Sequence, residues 1–235
     1  MQIFKLTKQL CLMTFTFLFM STSVLAVDVM LDAERDSVDV IHNNGVIKVK
    51  RIQDTDHKIT GGFTKTSRKC PPFCIQPMVP VPGVKPVSEI DIFNLMENEL
   101  VSGDGLLIDA RTPAWHQKGT IPGSINIPFT VFEADINEPA LQDALKKMGV
   151  RKRGSVSGFV RTLEKSGFLN GDMKNDVWDF SRTKKVIIWC NGPWCGQSPR
   201  AIKALVELGY PAEKIQYYRG GMQAWQILGL TTVKP

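Results

Sequence analysis

The chain has 235 residues, 43% of them hydrophobic and 22% charged, and its 29 lysines and arginines against 23 aspartates and glutamates give a net charge of +6. This composition excludes a disordered or low-complexity protein and allows one solid core plus an appendage. The modest positive excess fits a small anionic substrate or a weak preference for a membrane surface, and falls short of a nucleic-acid binder's signature.

Lys5 and Lys8 precede an apolar stretch from Leu10 to Met20, and Val24 and Ala26 follow as small residues before a cleavage point. The pattern predicts a secretory signal peptide over residues 1–26 and a periplasmic or secreted protein. A retained membrane anchor is the alternative, but the stretch is shorter than the ~20 residues a spanning helix needs. No transmembrane segment is expected in the mature chain. Cleavage removes Lys5, Lys8 and Cys11, which takes two charges from +6 and leaves +4. Cys70, Cys74, Cys190 and Cys195 remain, an even count that fits an oxidising compartment. The close pairs Cys70/Cys74 and Cys190/Cys195 read as local disulfides or redox couples, with the connectivity open.

Residues 27–86 form an N-terminal extension of distinct character. Ser37 to His42 and Val46 to Lys50 alternate polar and apolar residues around the turn signal Asn43-Asn44-Gly45, which predicts a β-hairpin. His57 to Lys69 is polar and reads as loops. Cys70-Pro-Pro-Phe-Cys74 opens a proline-rich stretch that continues through Pro77, Pro80, Pro82 and Pro86 and reads as an extended linker. A domain boundary is expected near Pro86, with the main domain over 87–232.

Beyond it, helical and strand periodicities alternate. Ser88-Glu-Ile-Asp91 matches a capping box, and Ile92, Leu95, Met96 and Leu100 follow at helical spacing. Strands are expected at Leu106 to Ala110, Ser124 to Pro128, Val186 to Trp189 and Ile215 to Tyr218. Helices are expected at Ala140 to Met148, Ser198 to Leu208 and Met222 to Leu228. The alternation predicts an α/β fold whose parallel sheet is covered on both faces. Residues 139–185 carry 11 basic against 5 acidic residues and read as a solvated insertion, with Arg151-Lys152-Arg153 as a candidate attractor for an anion or partner.

The candidate chemistry lies in Cys190-Asn191-Gly192-Pro193-Trp194-Cys195-Gly196-Gln197-Ser198, between a buried strand and an amphipathic helix. Backbone N–H groups at a helix start favour negative charge, so Cys190 is expected to tend toward its reactive thiolate. Ser198 suits an N-cap, Pro199 the first helical position, and Arg200 the first turn near any anion held by the loop. Gly192, Pro193 and Gly196 let the backbone curl so that N–H groups converge on a persulfide or oxyanion.

Leu107-Ile-Asp109-Ala-Arg111, Gly119-Thr-Ile-Pro122-Gly123-Ser-Ile-Asn126-Ile-Pro128, Cys190 after a strand, and Tyr218-Arg219-Gly220-Gly221-Met-Gln-Ala-Trp225 occur in an order and spacing that resemble the rhodanese-like sulfurtransferases. The resemblance covers roughly residues 87–230. It implies a five-stranded parallel sheet flanked by helices, and transfer of a sulfane sulfur from thiosulfate or a related donor to a thiophilic acceptor through a Cys190 persulfide. It also implies that Asp109 and Arg111 support the loop by hydrogen bonding and an ion pair. The chain departs from the family at Thr120, where a histidine is usual, and in a loop about two residues longer. The longer loop brings phosphatase relatives into view, whose arginine near the loop's end has no counterpart unless Arg200 serves.

Cys195 is open between a resolving thiol, a partner in a regulatory disulfide and a plain loop residue. Cys70 and Cys74 read as a disulfide or as a redox or sulfur-relay pair docking onto the Cys190 loop. Their spacing does not suit zinc, and His42, His57 and His116 are too scattered for a metal site; no cofactor is expected. Gly220 and Gly221 are expected to form a tight turn, and Trp225 to sit in the core. The expected partners are a small anionic sulfur donor, a thiol acceptor and a periplasmic redox or sulfur-pathway protein. The alternative functions are a periplasmic thiol-disulfide redox protein using both cysteine pairs, and a non-catalytic binding module.

Overall fold

A computed structural model describes residues 29–235, so the signal peptide assigned to 1–26 lies outside the described residues. Among the described residues, no helix is long and apolar enough to cross a membrane.

The hairpin forms where the alternation places it. Strands β1 (Ser37–His42) and β2 (Gly45–Lys50) pair antiparallel, with His42 opposite Gly45. Asn43 and Asn44 between them have φ of 47° and 63°. Two successive left-handed residues are what a tight hairpin turn of the right twist requires, and asparagine tolerates them. Val38, Val40 and Val49 point inward and are buried.

In chain order, β3 (Lys85–Pro86), α1 (Glu89–Glu97), α2 (Glu99–Ser102), β4 (Gly105–Asp109), α3 (Pro113–His116), β5 (Ser124–Asn126), α4 (Phe129–Phe132) and α5 (Pro139–Lys147) follow. Ser88 caps α1, its N–H donating to Asp91 Oδ2 at 2.9 Å. The basic insertion folds into β6 (Arg151–Lys152), α6 (Gly158–Lys165) and β7 (Trp178–Asp179). Within it, Arg153 makes a bidentate pair with Glu164 at 2.7 and 2.8 Å, and Arg151 faces Asp179 at 3.7 Å. Two of the three clustered cations are therefore engaged within the insertion. The chain ends with β8 (Lys185–Trp189), α7 (Gln197–Leu208), β9 (Ile215–Tyr218) and α8 (Gly221–Ile227).

Five strands make one parallel sheet in the order β3-β9-β8-β4-β5. Side chains alternate across a strand, so β8 sends Val186 and Ile188 to one face and Ile187 and Trp189 to the other. The first pair packs with α4, α5 and α7 through Phe132, Leu141, Leu145, Ile202 and Leu205. The second packs with α1, α8 and the hairpin through Ile92, Met96, Trp225, Val38 and Val49. The extension thus supplies part of one core. The proline-rich stretch, expected as an extended linker, turns at 70–72 and 82–83 and is held at both ends. Gln76 N–H donates to Pro193 O at 2.8 Å, and Lys85–Pro86 completes the sheet edge beside β9.

Removing two buried methyls from the hairpin tests this packing. Val49→Ala costs about 2 kcal/mol at ~0.8 kcal/mol per methylene plus the cavity left behind, which lowers Tm by about 4–8 °C in a domain this size. Ile41→Ala, at a site 69% exposed, leaves Tm nearly unchanged in the same thermal melts. Equal melting of the two variants would show that the hairpin adds nothing to the core.

Candidate functional site

Strands β4 and β8 run side by side with Asp109 opposite Trp189, so both end at the same edge of the sheet. The Ala110 N–H donates to Trp189 O at 3.0 Å and closes the pairing there. From β4 the chain passes to β5 on one side, while β8 lies on the other. Such a reversal opens a crevice at the carboxyl ends of the strands, where open α/β sheets bind ligands. Cys190 is the first residue beyond β8, and it emerges at this crevice.

Asp109 is buried and organises the near side. Its carboxylate accepts from Arg111 Nε at 2.8 Å and Nη2 at 2.6 Å, from His116 Nδ1 at 2.9 Å and from Thr120 Oγ1 at 3.1 Å. Burial alone would raise this carboxyl, but the hydrogen bonds from Arg111 and His116 outweigh it and hold Asp109 below the ordinary carboxylate value. The Arg111 guanidinium also lies over the Trp189 ring, 4.6 Å from its centroid, and its Nη1 approaches Asn191 Oδ1 at 3.5 Å. Asn126 Nδ2 ties the turn after β4 by donating to Asp109 O and Arg111 O, both at 2.9 Å.

The loop of residues 190–198 folds back over its own start. Cys190 and Cys195 are free thiols, both buried. Ser198 does not serve as the N-cap expected for it, because α7 begins at Gln197 with Gly196 as cap. Its hydroxyl donates to Cys190 Sγ at 2.9 Å, and the Cys190 S–H reaches Cys195 O at 3.3 Å. Pro199 then falls in the first turn of α7, where no intrahelical donor is needed.

Cys190 is not depressed toward its thiolate as expected. Burial pushes the Cys190 thiol well above its ordinary value, and the neighbouring Cys195 adds to the rise. Cys195 is pulled down to about 7, first by the adjoining Cys190 and then, against burial, by the N–H groups of Asn191 and Gln197. The Asn191 amide approaches the same sulfur at 3.9 Å. The donors therefore divide: Ser198 of α7 serves Cys190, while Asn191 at the loop's start and Gln197 at the helix start serve Cys195.

The amino end of α8 holds the loop from below. Met222 N–H donates to Cys190 O at 2.9 Å and Gln223 N–H to Asn191 O at 3.0 Å. Gly221 sits in the left-handed region with φ 55°, and a Cβ there would lie 2.3 Å from Cys190 O. Glycine is therefore required at this close approach. Trp225 packs in the core, as expected.

Above the loop lies a cavity of about 340 Å³, walled by Phe73, Trp115, Phe129, Trp194, Cys195 and Arg200. Cys190 is not among its lining residues. The N-terminal extension roofs it. Cys70 and Cys74 are joined by a disulfide, and Phe73 between them meets Trp194 edge to face at 5.5 Å. Arg68 stacks on the Trp194 ring at 3.8 Å, while Trp194 Nε1 donates to Gln223 Oε1 at 2.8 Å. Arg219 Nε donates to Gln76 O at 2.8 Å and straps the segment down.

Of the residues singled out in the sequence, Asp109, Arg111, Cys190, Cys195 and the loop residues converge at this edge. Arg200 reaches only the rim, where its guanidinium is engaged by Glu133 in two 2.6 Å bonds over the Phe129 ring. It does not serve as the loop's anion-binding arginine. Trp115, Phe129 and the roof residues Arg68 and Phe73 escaped the sequence reading of the site, whereas Thr120, Asn126 and Gln223 lie in the motifs that carried the family resemblance, and His116, read as a surface residue, instead bonds Asp109.

A family model for the rhodanese-like domain matches residues 94–228, more than half of the chain. The chain belongs to the rhodanese-like family. No curated protein matches it. Among solved structures, it is similar to a human single-domain sulfurtransferase at 18% identity, covering 62% of this chain and 96% of that one with a TM-score of 0.34. It is also similar to a thiosulfate sulfurtransferase from Pseudomonas aeruginosa at 16% identity, covering 64% and 20%, TM-score 0.34. An As-Sb reductase from Leishmania major matches at 17% identity over 60% and 76%, TM-score 0.33.

In this rhodanese-like chain, Asp109→Asn leaves Arg111 buried without its counter-charge and costs about 3–5 kcal/mol in urea unfolding. The wild-type pair also carries a pH signature, because the folded Asp109 carboxyl is depressed. Its contribution is fully present above the unfolded value of about 3.9 and is lost as pH falls through the folded value. The variant lacks that share of the acid-dependent loss; parallel acid profiles for the two proteins would contradict the assignment.

Proposed function

We propose that this rhodanese-like protein is an exported sulfurtransferase. It takes a sulfane sulfur from thiosulfate or a related anionic donor as a cysteine persulfide on the 190–198 loop, and passes it to a thiophilic acceptor such as cyanide or a thiol. The observation that carries this reading is the position of Cys190 directly after β8, where its sulfur accepts from Ser198 Oγ at 2.9 Å in the first turn of α7, with a second free thiol, Cys195, beside it lining a cavity. The family resemblance assigns the persulfide to Cys190.

The chemistry is nucleophilic and proceeds in two halves. A loop thiolate attacks the outer sulfur of the donor, sulfite leaves, and the persulfide anion stays among N–H donors that suit negative charge. An acceptor then removes the outer sulfur and restores the thiolate. Two cations near the cavity walls favour an anionic donor: Arg68 over Trp194, and Lys118 over Trp115 at 4.5 Å. The Cys70–Cys74 disulfide is consistent with an oxidising compartment and so supports export.

A second reading, thiol-disulfide exchange through Cys190 and Cys195, draws on the same two free thiols in one loop. The two are separable by assay. Sulfurtransfer predicts thiocyanate from thiosulfate and cyanide, falling to background when both Cys190 and Cys195 are replaced by serine. Unchanged turnover in that double variant sinks the proposal, and reduction of a disulfide substrate without thiocyanate formation favours exchange.

The anionic donor is tested through its attraction. Lys118→Ala raises KM for thiosulfate about threefold with kcat little changed, as expected for a single partly screened charge. The difference shrinks as salt is added. A KM independent of both charge and salt would argue for a neutral donor.

A further inference from the structure

The N-terminal extension crosses the cavity as a strap tied at two ends. At one end Gln223 Nε2 donates to Phe63 O at 3.0 Å, and Phe63 packs against the cluster of Cys190, Trp194 and Cys195. At the other, Gln76 N–H donates to Pro193 O and Gln76 O accepts from Arg219 Nε, both at 2.8 Å. Between them, over residues 64–75, no backbone hydrogen bond among the described residues joins the strap to the rhodanese-like domain. Its middle meets the domain through side chains. Phe73 stands edge to face on Trp194, and Arg68 lies over both rings, 3.8 Å from the Trp194 centroid and 5.9 Å from that of Phe73. This loosely held part is nevertheless the part that covers the cavity, through Pro72 and Phe73.

We propose that the Cys70–Cys74 disulfide latches this strap, and that its reduction by a dithiol opens the roof of the cavity. Pro72 and Phe73 lie inside the ring that the disulfide closes. A cross-link narrows the conformations available to a detached chain and so favours the seated one. Without it, the ring residues gain backbone freedom that the aromatic contact with Trp194 has to outweigh. Cys70 is exposed and Cys74 half-buried, so a reductant reaches the bond from solvent. A thiolate of the dithiol attacks one of the two sulfurs; the Cys70–Cys74 bond breaks, a mixed disulfide forms, and the other cysteine leaves as a thiolate. The second thiol of the reductant then displaces the first cysteine. The dithiol is oxidised to its disulfide, and Cys70 and Cys74 receive its two electrons and two protons. The tie at Gln76 stays, so the strap swings away carrying Phe73 and Arg68 off Trp194. The latch acts on access to the cavity, whatever reaction the cavity serves.

The test is the rate at which a bulky maleimide alkylates Cys195, which lines the cavity, in the full chain, followed by peptide mass. The rate is expected to rise about tenfold from the disulfide-bonded wild type to Cys70→Ser/Cys74→Ser, the order of the constraint that so short a closed ring removes. An equal or lower rate in that variant overturns the latch. The same rise is expected without any substitution, in the wild type treated with dithiothreitol and freed of it by gel filtration, with Cys70 and Cys74 recovered as thiols. A Cys70–Cys74 bond that resists the dithiol until the whole chain unfolds overturns the proposal.

Phe73→Ala separates the roof from a general loosening of the fold. It keeps the disulfide but removes the ring above Trp194, so Cys195 alkylation rises in the oxidised protein and the dithiol adds little to it. A dithiol response of full size in Phe73→Ala means that reduction acts elsewhere than through the roof, and overturns the proposal. Alkylation involves no sulfur transfer, so the outcome is independent of the thiocyanate assay and either result can fail while the other stands.

Discussion

The buried carboxylate of Asp109 is the point on which the site is built. A charge withdrawn from water is tolerated only when its lone pairs are filled, and here Arg111, His116 and Thr120 fill them. The arrangement fixes more than a charge. Arg111 is held over Trp189, the last residue of β8, and is directed at Asn191, the second residue of the loop. The end of one strand thereby sets where the next element begins. Thr120 takes a place at this carboxylate, so the departure from the family's usual histidine alters the donors around Asp109 while the carboxylate remains fully engaged.

From that anchor the loop is clamped from two further directions. Below, α8 donates to the carbonyls of Cys190 and Asn191, and Gly221 allows its backbone to come so close. Above, the extension packs Phe73 on Trp194 and hydrogen-bonds Gln76 to Pro193. The longer loop is therefore enclosed between helix and roof. Its additional cysteine comes to line the cavity, and its first cysteine is covered. The cavity walls are largely aromatic and shield the Cys195 sulfur from bulk water, with the cations of Arg68 and Lys118 close to those walls.

Much of the architecture was legible because it rests on local rules. Asn43-Asn44-Gly45 between alternating residues specified a hairpin through the backbone conformation that such a turn needs. The apolar runs at 106–110, 186–189 and 215–218 specified buried parallel strands, since both of their faces must be covered. Four ordered motifs identified the family and located Asp109, Arg111 and the Cys190 loop. The role of the extension was less legible: a proline-rich segment of this composition suits a free linker equally well, and periodicity does not report that Gln76 and Phe73 meet residues more than a hundred positions away.

The amino-acid sequence by itself determined the α/β class, the strand-loop-helix setting of the two loop cysteines and the family of the chain, because these follow from periodicity, turn chemistry and short motifs. Only the tertiary structure decided which thiol lines the cavity and which donors each sulfur meets. A thiol's charge depends on burial and on donors brought from elsewhere in the fold, and here Ser198, Asn191 and Gln197 are shared unequally between two sulfurs. It also decided that Ser198 turns its hydroxyl to Cys190 instead of capping α7, and that Arg200 is spent on Glu133. In both cases a local preference gave way to a partner that the folded chain alone could supply.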